Sequence, residues 1–166
     1  VSLLPDNVSS GSKEHFTNSY TGDPATRPTV THPIVSNGTL GSCLALTGLS
    51  QDLSPKGAVP LTAGKIYEIQ VIFIATVDPT DGIGSYTLYV GALDSVYINQ
   101  VYTGATGTFT VADGVRTVTY RVSDVADATD SIAAWAAGKV WGRPMFRTNG
   151  GEAGTPVVHV QRLSIK

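Results

Sequence analysis

The stretch Lys65–Val77, which reads KIYEIQVIFIATV, decides the fold of this chain. It is rich in β-branched and aromatic residues and contains neither Gly nor Pro, a composition typical of a strand. Alternation along a strand places one apolar set on a single face: Tyr67, Ile69, Val71, Phe73 and Ala75. The stretch is longer than the usual strand of ~5–6 residues. We therefore expect Lys65–Val77 to be a central strand of a β-sandwich.

The composition of the whole chain supports an all-β fold. Charged residues make up 14% of the 166 residues, against about 25% in a typical globular protein. The 18 Gly and nine Pro fall between apolar runs, for example at Asn37-Gly38 and Asp113-Gly114. About ten short apolar segments follow one another in this way. We therefore predict one antiparallel β-sandwich domain over residues 1–166.

One segment departs from the strand pattern. Ala126–Gly138 is rich in helix formers, with Asp127 or Thr129 as a candidate N-cap and Gly138 at the expected end. Trp135 would then anchor the apolar side of this helix. The pattern predicts a short helix near residues 127–137.

The last strand, Pro156–Lys166, changes its alternation partway. Val158 and Val160 share one parity, whereas Leu163 and Ile165 have the other. A bulge adds one residue to a strand and would bring both pairs to the same face. We expect a β-bulge near Gln161-Arg162.

Charge and hydropathy exclude two classes of partner. The net charge is −2 and no cluster of Lys and Arg occurs, so a nucleic-acid partner is not expected. No run approaches the ~20 apolar residues of a membrane span, which argues against membrane insertion. Cys43 is the only cysteine and is expected to be a buried apolar residue. Because the sequence begins with Val1, we expect a processed product or a piece of a longer protein.

Catalytic signatures are missing from the sequence. Most acidic residues stand in turn contexts, where capping explains them. His15, His32 and His159 lack metal-ligand spacing, and no nucleophile motif is present. We therefore predict that the protein is not an enzyme.

The best concentration of binding chemistry lies near the C-terminal third. Sugar recognition uses flat aromatic faces flanked by groups that bond hydroxyls. The residue types that supply both are Trp135, Trp141, Arg143, Arg147 and Asn149. On a strand, Trp141, Arg143 and Arg147 would share one polar face open to a ligand. These five residues are the predicted ligand-binding site.

A structural explanation of the same residues stays open. Trp141 would then cover the sandwich edge, and both arginines would pair with acidic residues of the preceding segment. The candidate acids are Asp124, Asp127 and Asp130.

Several short motifs resemble the jelly rolls of carbohydrate-binding modules of the family 4, 9 and 22 type. They are Ser2–Asn7 (SLLPDN), Gly41–Leu46 (GSCLAL), Leu61–Tyr67 (LTAGKIY), Thr108–Val111 (TFTV) and Val160–Ile165 (VQRLSI). The closing stretch Trp141–Asn149 resembles versions of this domain carried by bacteriophage tail fibres and spikes.

The resemblance implies a jelly-roll sandwich that recognises a glycan or cell-surface polysaccharide without catalysis. By the same resemblance it would be a host-attachment module at the virion surface or outside the cell, contacting other virion proteins and itself as a homo-oligomer such as a trimer. The alternative is a purely structural jelly-roll virion protein without a sugar site. Gln161 and Arg162 stand where such modules carry acidic residues that help to hold a structural calcium. We therefore expect no cofactor, with a structural calcium as the alternative.

Overall fold

The computed structural model describes residues 16–17, 32–55, 58–95, 101–149 and 153–166. The Ser2–Asn7 motif and His15 lie outside these ranges. Twelve strands are described: β1 (Phe16–Thr17), β2 (Ile34–Asn37), β3 (Gly41–Thr47), β4 (Asp52–Pro55), β5 (Val59–Pro60), β6 (Tyr67–Val77), β7 (Gly84–Leu93), β8 (Val101–Phe109), β9 (Val115–Ser123), β10 (Ile132–Ala134), β11 (Trp141–Thr148) and β12 (Val157–Ile165). A single 3-10 turn, Val111–Asp113, accompanies them in the described ranges.

The strands form two six-stranded sheets. In the first, called the front sheet, the order is β1-β4-β11-β7-β8, with β5 also paired to β11. In the second, called the back sheet, the order is β10-β9-β6-β12-β3-β2. All pairings between these strands are antiparallel except that of β10 with β9. The predicted all-β sandwich is confirmed, and it has the jelly-roll form.

The central position of the opening stretch is confirmed. Strand β6 runs for 11 residues between β9 and β12 in the back sheet. Ile69, Val71 and Phe73 on its inner face are fully buried. This row of side chains forms the back wall of the core.

The predicted bulge in β12 is also confirmed. The register between β12 and β6 shifts between Val160 and Arg162. Val158 and Val160 before the shift, and Leu163 and Ile165 after it, are all buried in the core. One inserted residue thus keeps both halves of the strand facing inward.

The predicted helix near residues 127–137 is wrong. Asp127 and Ile132 exchange two backbone hydrogen bonds of 2.8 Å, and the Asp127 carboxylate accepts the backbone N–H of Thr129 at 2.9 Å. An aspartate that bonds nearby backbone groups competes with helix formation. The chain turns through Ser131, which has a φ of 55°, and then pairs Ile132–Ala134 with β9 as strand β10. Sheet pairing and the Asp127 turn therefore override the helix propensity of the alanines.

Aromatic rings from both sheets meet in the core and fix which way each strand faces. The Phe73 ring centroid lies 5.3 Å from that of Tyr86 on β7 and 5.1 Å from that of Phe146 on β11. Since Tyr86 and Phe146 point inward, alternation sends their sequence neighbours to the outer surface of the front sheet.

Strand β11 lies inside the front sheet although it contains a proline. Pro144 has no N–H to donate, so proline is normally restricted to edges and irregular positions. On one side β11 pairs with β5 at Trp141-Gly142 and with β4 at Phe146-Arg147. Pro144 falls in the interval between these two short partners. The interruption between β4 and β5 explains how the sheet accommodates it.

Candidate functional site on the outer face of the front sheet

The outer surface of the front sheet gathers most of the chemistry that the sequence singled out. Residues of β11 with the parity opposite to Phe146 point outward, and these include Trp141, Arg143 and Arg147. The register places Arg147 beside Thr87 of β7 and beside Asp52 of β4. We call this surface, made by the outward residues of β4, β11, β7 and β8, the front face.

A chain of polar contacts crosses the front face. The Arg147 Nε atom lies 3.7 Å from Asp52 Oδ1. The guanidinium of Arg147 also hydrogen-bonds to the Tyr89 hydroxyl, which in turn bonds to the Asp52 carboxylate. Three side chains from three strands are thus held together by one network.

Burial dominates the electrostatics of this network. The Asp52 side chain is only 11% exposed, and this burial raises the pKa of Asp52 to about 6. Arg147, the Tyr89 hydroxyl and Arg143 oppose the rise without cancelling it. Burial likewise raises the pKa of Tyr89 and of Tyr102, so both phenols keep their protons near neutral pH.

Two tyrosines, in addition to Trp141, supply aromatic rings to the front face. Tyr89 on β7 is buried and Tyr102 on β8 is 47% exposed, and their rings meet edge to face at 5.2 Å. Gly104 faces Tyr89 across the β7–β8 pair, and a Cβ atom there would overlap the Cβ of Tyr89. The glycine therefore leaves room for Tyr89 close to β8, and Tyr102 presents an accessible ring next to it.

Arg143 does not lie on an open surface, contrary to the prediction. Its side chain has the predicted outward parity but is fully buried. A buried guanidinium acts on its neighbours through a low-dielectric medium, where charge effects are strong. The charge of Arg143 favours ionisation of both Asp52 and Tyr102. Arg143 is therefore a buried charge within the front face and has no solvent-accessible surface.

Trp141 and Asn149 mark the two ends of the same strand. Trp141 is half-buried and lies opposite Leu93 of β7 and Pro60 of β5. Asn149 follows β11, and its side-chain oxygen accepts a hydrogen bond of 2.9 Å from the Thr87 hydroxyl. Nine residues of extended chain cover about 26 Å from first to last, and Arg143 and Met145 between the two ends are fully buried.

Trp135 is not part of this group. Its ring lies edge-on to Tyr67 of the back sheet at 5.8 Å, and the residue is 8% exposed within the core cluster. It also contributes to the wall of an open pocket of about 460 Å³ whose charged lining residues are Asp124 and Lys139. The structure thus brings four of the five predicted residues to one face and places the fifth between the sheets.

The acidic residues proposed as arginine partners mostly serve turns. Asp124 accepts the backbone N–H of Gly64 at 3.0 Å, and Asp127 organises its own turn. Arg147 pairs with Asp52 on β4 instead. The expectation of turn duty is confirmed for Asp124 and Asp127.

Within the described part of the chain, no three His, Cys, Asp or Glu residues lie close enough together to hold a metal ion. Gln161, which stands where the resemblance implies an acidic calcium ligand, donates from Nε2 to the Leu40 carbonyl at 2.7 Å. Cys43 is buried, as expected. The described residues also contain no helix of the length and apolarity that a membrane crossing requires.

Sequence reasoning missed Asp52, Tyr89 and Tyr102. A signal for Tyr89 existed, because the inward parity of Tyr86 and Leu88 on β7 leaves Tyr89 outside. No comparable sequence signal marks Asp52, since its place beside Arg147 depends on the pairing of β4 with β11.

Solved structures of carbohydrate-active proteins share this fold. A CBM4 module, where CBM stands for carbohydrate-binding module, matches with a TM-score of 0.50 at 16% identity, over 81% of this chain and 87% of the module. The CBM22-1 xylan-binding domain of Xyn10C from Paenibacillus barcinonensis matches with a TM-score of 0.51 at 11% identity, over 92% and 88%. Alginate lyase A1-II′, a member of polysaccharide lyase family 7, matches with a TM-score of 0.51 at 9% identity, over 100% and 98%.

At these identities the similarity establishes the fold alone. No protein-family model matches the sequence, and no curated protein matches it. The expected resemblance to carbohydrate-binding modules is therefore confirmed at the level of the jelly-roll fold, and nothing in these matches concerns bacteriophages.

Proposed function

We propose that this protein is a non-catalytic glycan-binding module whose ligand lies along the front face. The observation that carries the proposal is the exposed Tyr102 ring, backed by Tyr89 and flanked by the half-exposed Arg147. An aromatic face packs against the C–H surface of a sugar ring, and a guanidinium bonds to its oxygens. The shared jelly-roll fold with the CBM4 and CBM22-1 structures supports this choice of ligand class.

The lyase match does not by itself favour catalysis. Elimination from a polysaccharide requires a base that removes a proton from the sugar. Both front-face tyrosines have raised pKa values and stay protonated, and Asp52 is buried and engaged by Tyr89. These groups suit binding better than proton abstraction, so the protein is proposed to leave its glycan intact.

We further propose the setting that the sequence motifs imply, a host-attachment module of a virion fibre or spike at the virion surface or outside the cell. The support is the resemblance of Trp141–Asn149 to the phage-borne domains. Other virion proteins and further copies of the chain would be its protein partners. A jelly roll used only for virion assembly is the competing function, and it requires no sugar site.

Calorimetric titration with a panel of neutral and acidic polysaccharides tests the proposal. Tyr102→Ala should weaken binding about tenfold, as expected for truncation of an aromatic anchor. The matched control is Val115→Ala on the back sheet, because Val115 and Tyr102 are similarly exposed at 43% and 47%. Equal loss in both variants, or no binding by the wild type to any polysaccharide, would contradict the proposal and favour the assembly function.

A further inference from the structure

The charges of the front sheet indicate what kind of glycan it binds. Its described strands contain three charged side chains, Asp52, Arg143 and Arg147, and the register and alternation place all three on the front face. With two arginines and one aspartate, the described strands of this face carry a net positive charge in a chain whose net charge is −2. A positive patch on an acidic protein attracts an anionic group.

Arg147 has the geometry to receive that group. Its side chain is 40% exposed, and its 3.7 Å separation from Asp52 exceeds the ~2.7–2.9 Å of a charge-assisted hydrogen bond. A guanidinium has five N–H donors in a planar fork, more than its contacts with Asp52 and Tyr89 use. A carboxylate can therefore bind Arg147 in the bidentate manner that the fork favours.

Neighbouring groups complete an acidic-sugar site. Tyr102 supplies an exposed ring beside the cluster, and its hydroxyl is protonated at neutral pH and able to donate a hydrogen bond. Arg143 adds a second positive charge that is fully buried and is therefore less screened by salt than an exposed charge.

We infer that the front face selects glycans that carry carboxylate groups, with Arg147 binding the carboxylate and Tyr102 packing on the sugar ring. This inference rests on the proposed function and specifies its ligand class. Asp52 acts as an internal competitor through its charge, because its carboxylate, 3.7 Å from Arg147 Nε, offsets part of the positive charge that attracts the sugar acid.

The competition gives binding a pH dependence. The groups that face Asp52 are Arg147, Arg143, Tyr89 and Tyr102, and the His32 ring donates to the Asp52 main-chain carbonyl at 3.0 Å. Asp52 becomes neutral below a pKa of about 6, whereas an ordinary carboxyl on a sugar stays ionised down to about 4. Between these values Asp52 no longer offsets the charge of Arg147, while the ligand keeps its own charge. Affinity should therefore rise as the pH falls from 7 to about 5.

The test compares each acidic polymer with its own neutral form. Alginate, polygalacturonate and hyaluronate are titrated beside the same polymers after their carboxylates have been reduced to primary alcohols. The wild type should bind at least one acidic polymer about tenfold more tightly than its reduced form. Equal affinity for both forms would overturn the inference while leaving glycan binding intact. If the protein bound none of these polymers and nothing in the neutral panel, the proposed function would be overturned as well.

Variants assign the effect to Arg147. Arg147→Ala should remove about tenfold of the affinity for the acidic polymer and leave the reduced polymer unchanged, and Arg147→Lys should restore part of it. Arg121→Ala is the matched control, since Arg121 lies on the outer side of the back sheet and bonds to the Asp130 carbonyl. Circular dichroism verifies that each variant is folded, and equal effects of the two alanine substitutions would overturn the assignment.

Asp52→Asn tests the competition separately. It removes the charge but keeps an oxygen that can accept from Tyr89. The variant should bind the acidic polymer at pH 7 as tightly as the wild type does at pH 5, with little further change on acidification. A pH response that persists in Asp52→Asn would overturn the role of Asp52 and point to His32.

Discussion

The two sheets share one core but present different outer surfaces. The front face carries Trp141, Tyr89 and Tyr102 together with a buried cluster of charges. The outer side of the back sheet is built on its described strands from threonine, aliphatic and polar residues, without Trp, Tyr or Phe. Its charges are exposed at the rim, as in the 2.7 Å pair of Lys166 with Glu68, whose side chains are 65% and 30% exposed.

This difference indicates which outer surface carries residues that the stability of the fold does not require. Exposed ion pairs add little to stability, and threonine and isoleucine suit any half-exposed strand. The buried charges of Asp52 and Arg143 cost desolvation energy. The exposed ring of Tyr102 adds nothing to the core. The front face is therefore the better candidate for a selected binding surface.

Truncation of Trp135 should mainly lower stability, whereas truncation of Trp141 should mainly weaken glycan binding, and these are the largest effects we expect. Trp135→Ala should lower the free energy of unfolding by about 3–5 kcal/mol, because it opens a cavity between the sheets. Trp141→Ala should change stability by about 1 kcal/mol or less and instead weaken glycan binding about tenfold. Urea denaturation and calorimetric titration of both variants provide the measurements.

The reverse outcome would break the distinction between core and face. If Trp135→Ala stayed stable but lost glycan binding, the open pocket beside Asp124 and Lys139 would be the sugar site, and the front face would not.

A smaller expected effect is the pH dependence of stability, which should have opposite signs for Asp52 on β4 and for Asp113 in the turn before β9. Burial raises the pKa of Asp52 from 3.8 to about 6, so the folded state holds the proton more tightly than the unfolded chain. The stability gained by protonating Asp52 in the folded state is therefore lost as the pH rises from about 4 to about 6. Asp52→Asn should stabilise the protein at pH 8 by roughly 1–3 kcal/mol and flatten this slope.

Asp113, in the turn that leads into β9, provides the opposite sign. The Thr110 backbone N–H, 2.8 Å from Asp113 Oδ2, and the nearby Arg116 lower its pKa. Its contribution is present above the unfolded pKa and is lost as the pH falls through the folded pKa. Asp113→Asn should therefore reduce stability at pH 7 and have little effect in acid. Thermal denaturation from pH 3 to 8 checks both variants, and slopes of the same sign would refute the electrostatic contrast.

Local pattern was enough to predict the architecture. Alternation located the central strand β6, and the change of parity in β12 revealed a bulge that the register confirms. It failed at residues 127–137, because propensity could not anticipate that the Asp127 turn and pairing with β9 would hold the segment as a strand.

The composition of the front face could be predicted only in part from the sequence. Arg147 and Trp141 share a strand, so their common face follows from alternation. Their partners come from β4, β7 and β8, up to 95 residues earlier in the chain for Asp52 opposite Arg147, and only the sheet register brings them together. The burial of Arg143 depends on tertiary packing and could not be inferred from its position on a strand.

The most direct measurement of the central claim is a titration followed by NMR at the arginine side chains. The Nε–Hε signals of Arg147 and Arg121 report on the front face and on the outer side of the back sheet in the same sample. Addition of an acidic oligosaccharide that the protein binds should shift the Arg147 signal and leave the Arg121 signal in place. Binding that shifts Arg121 while Arg147 stays unchanged would contradict the account.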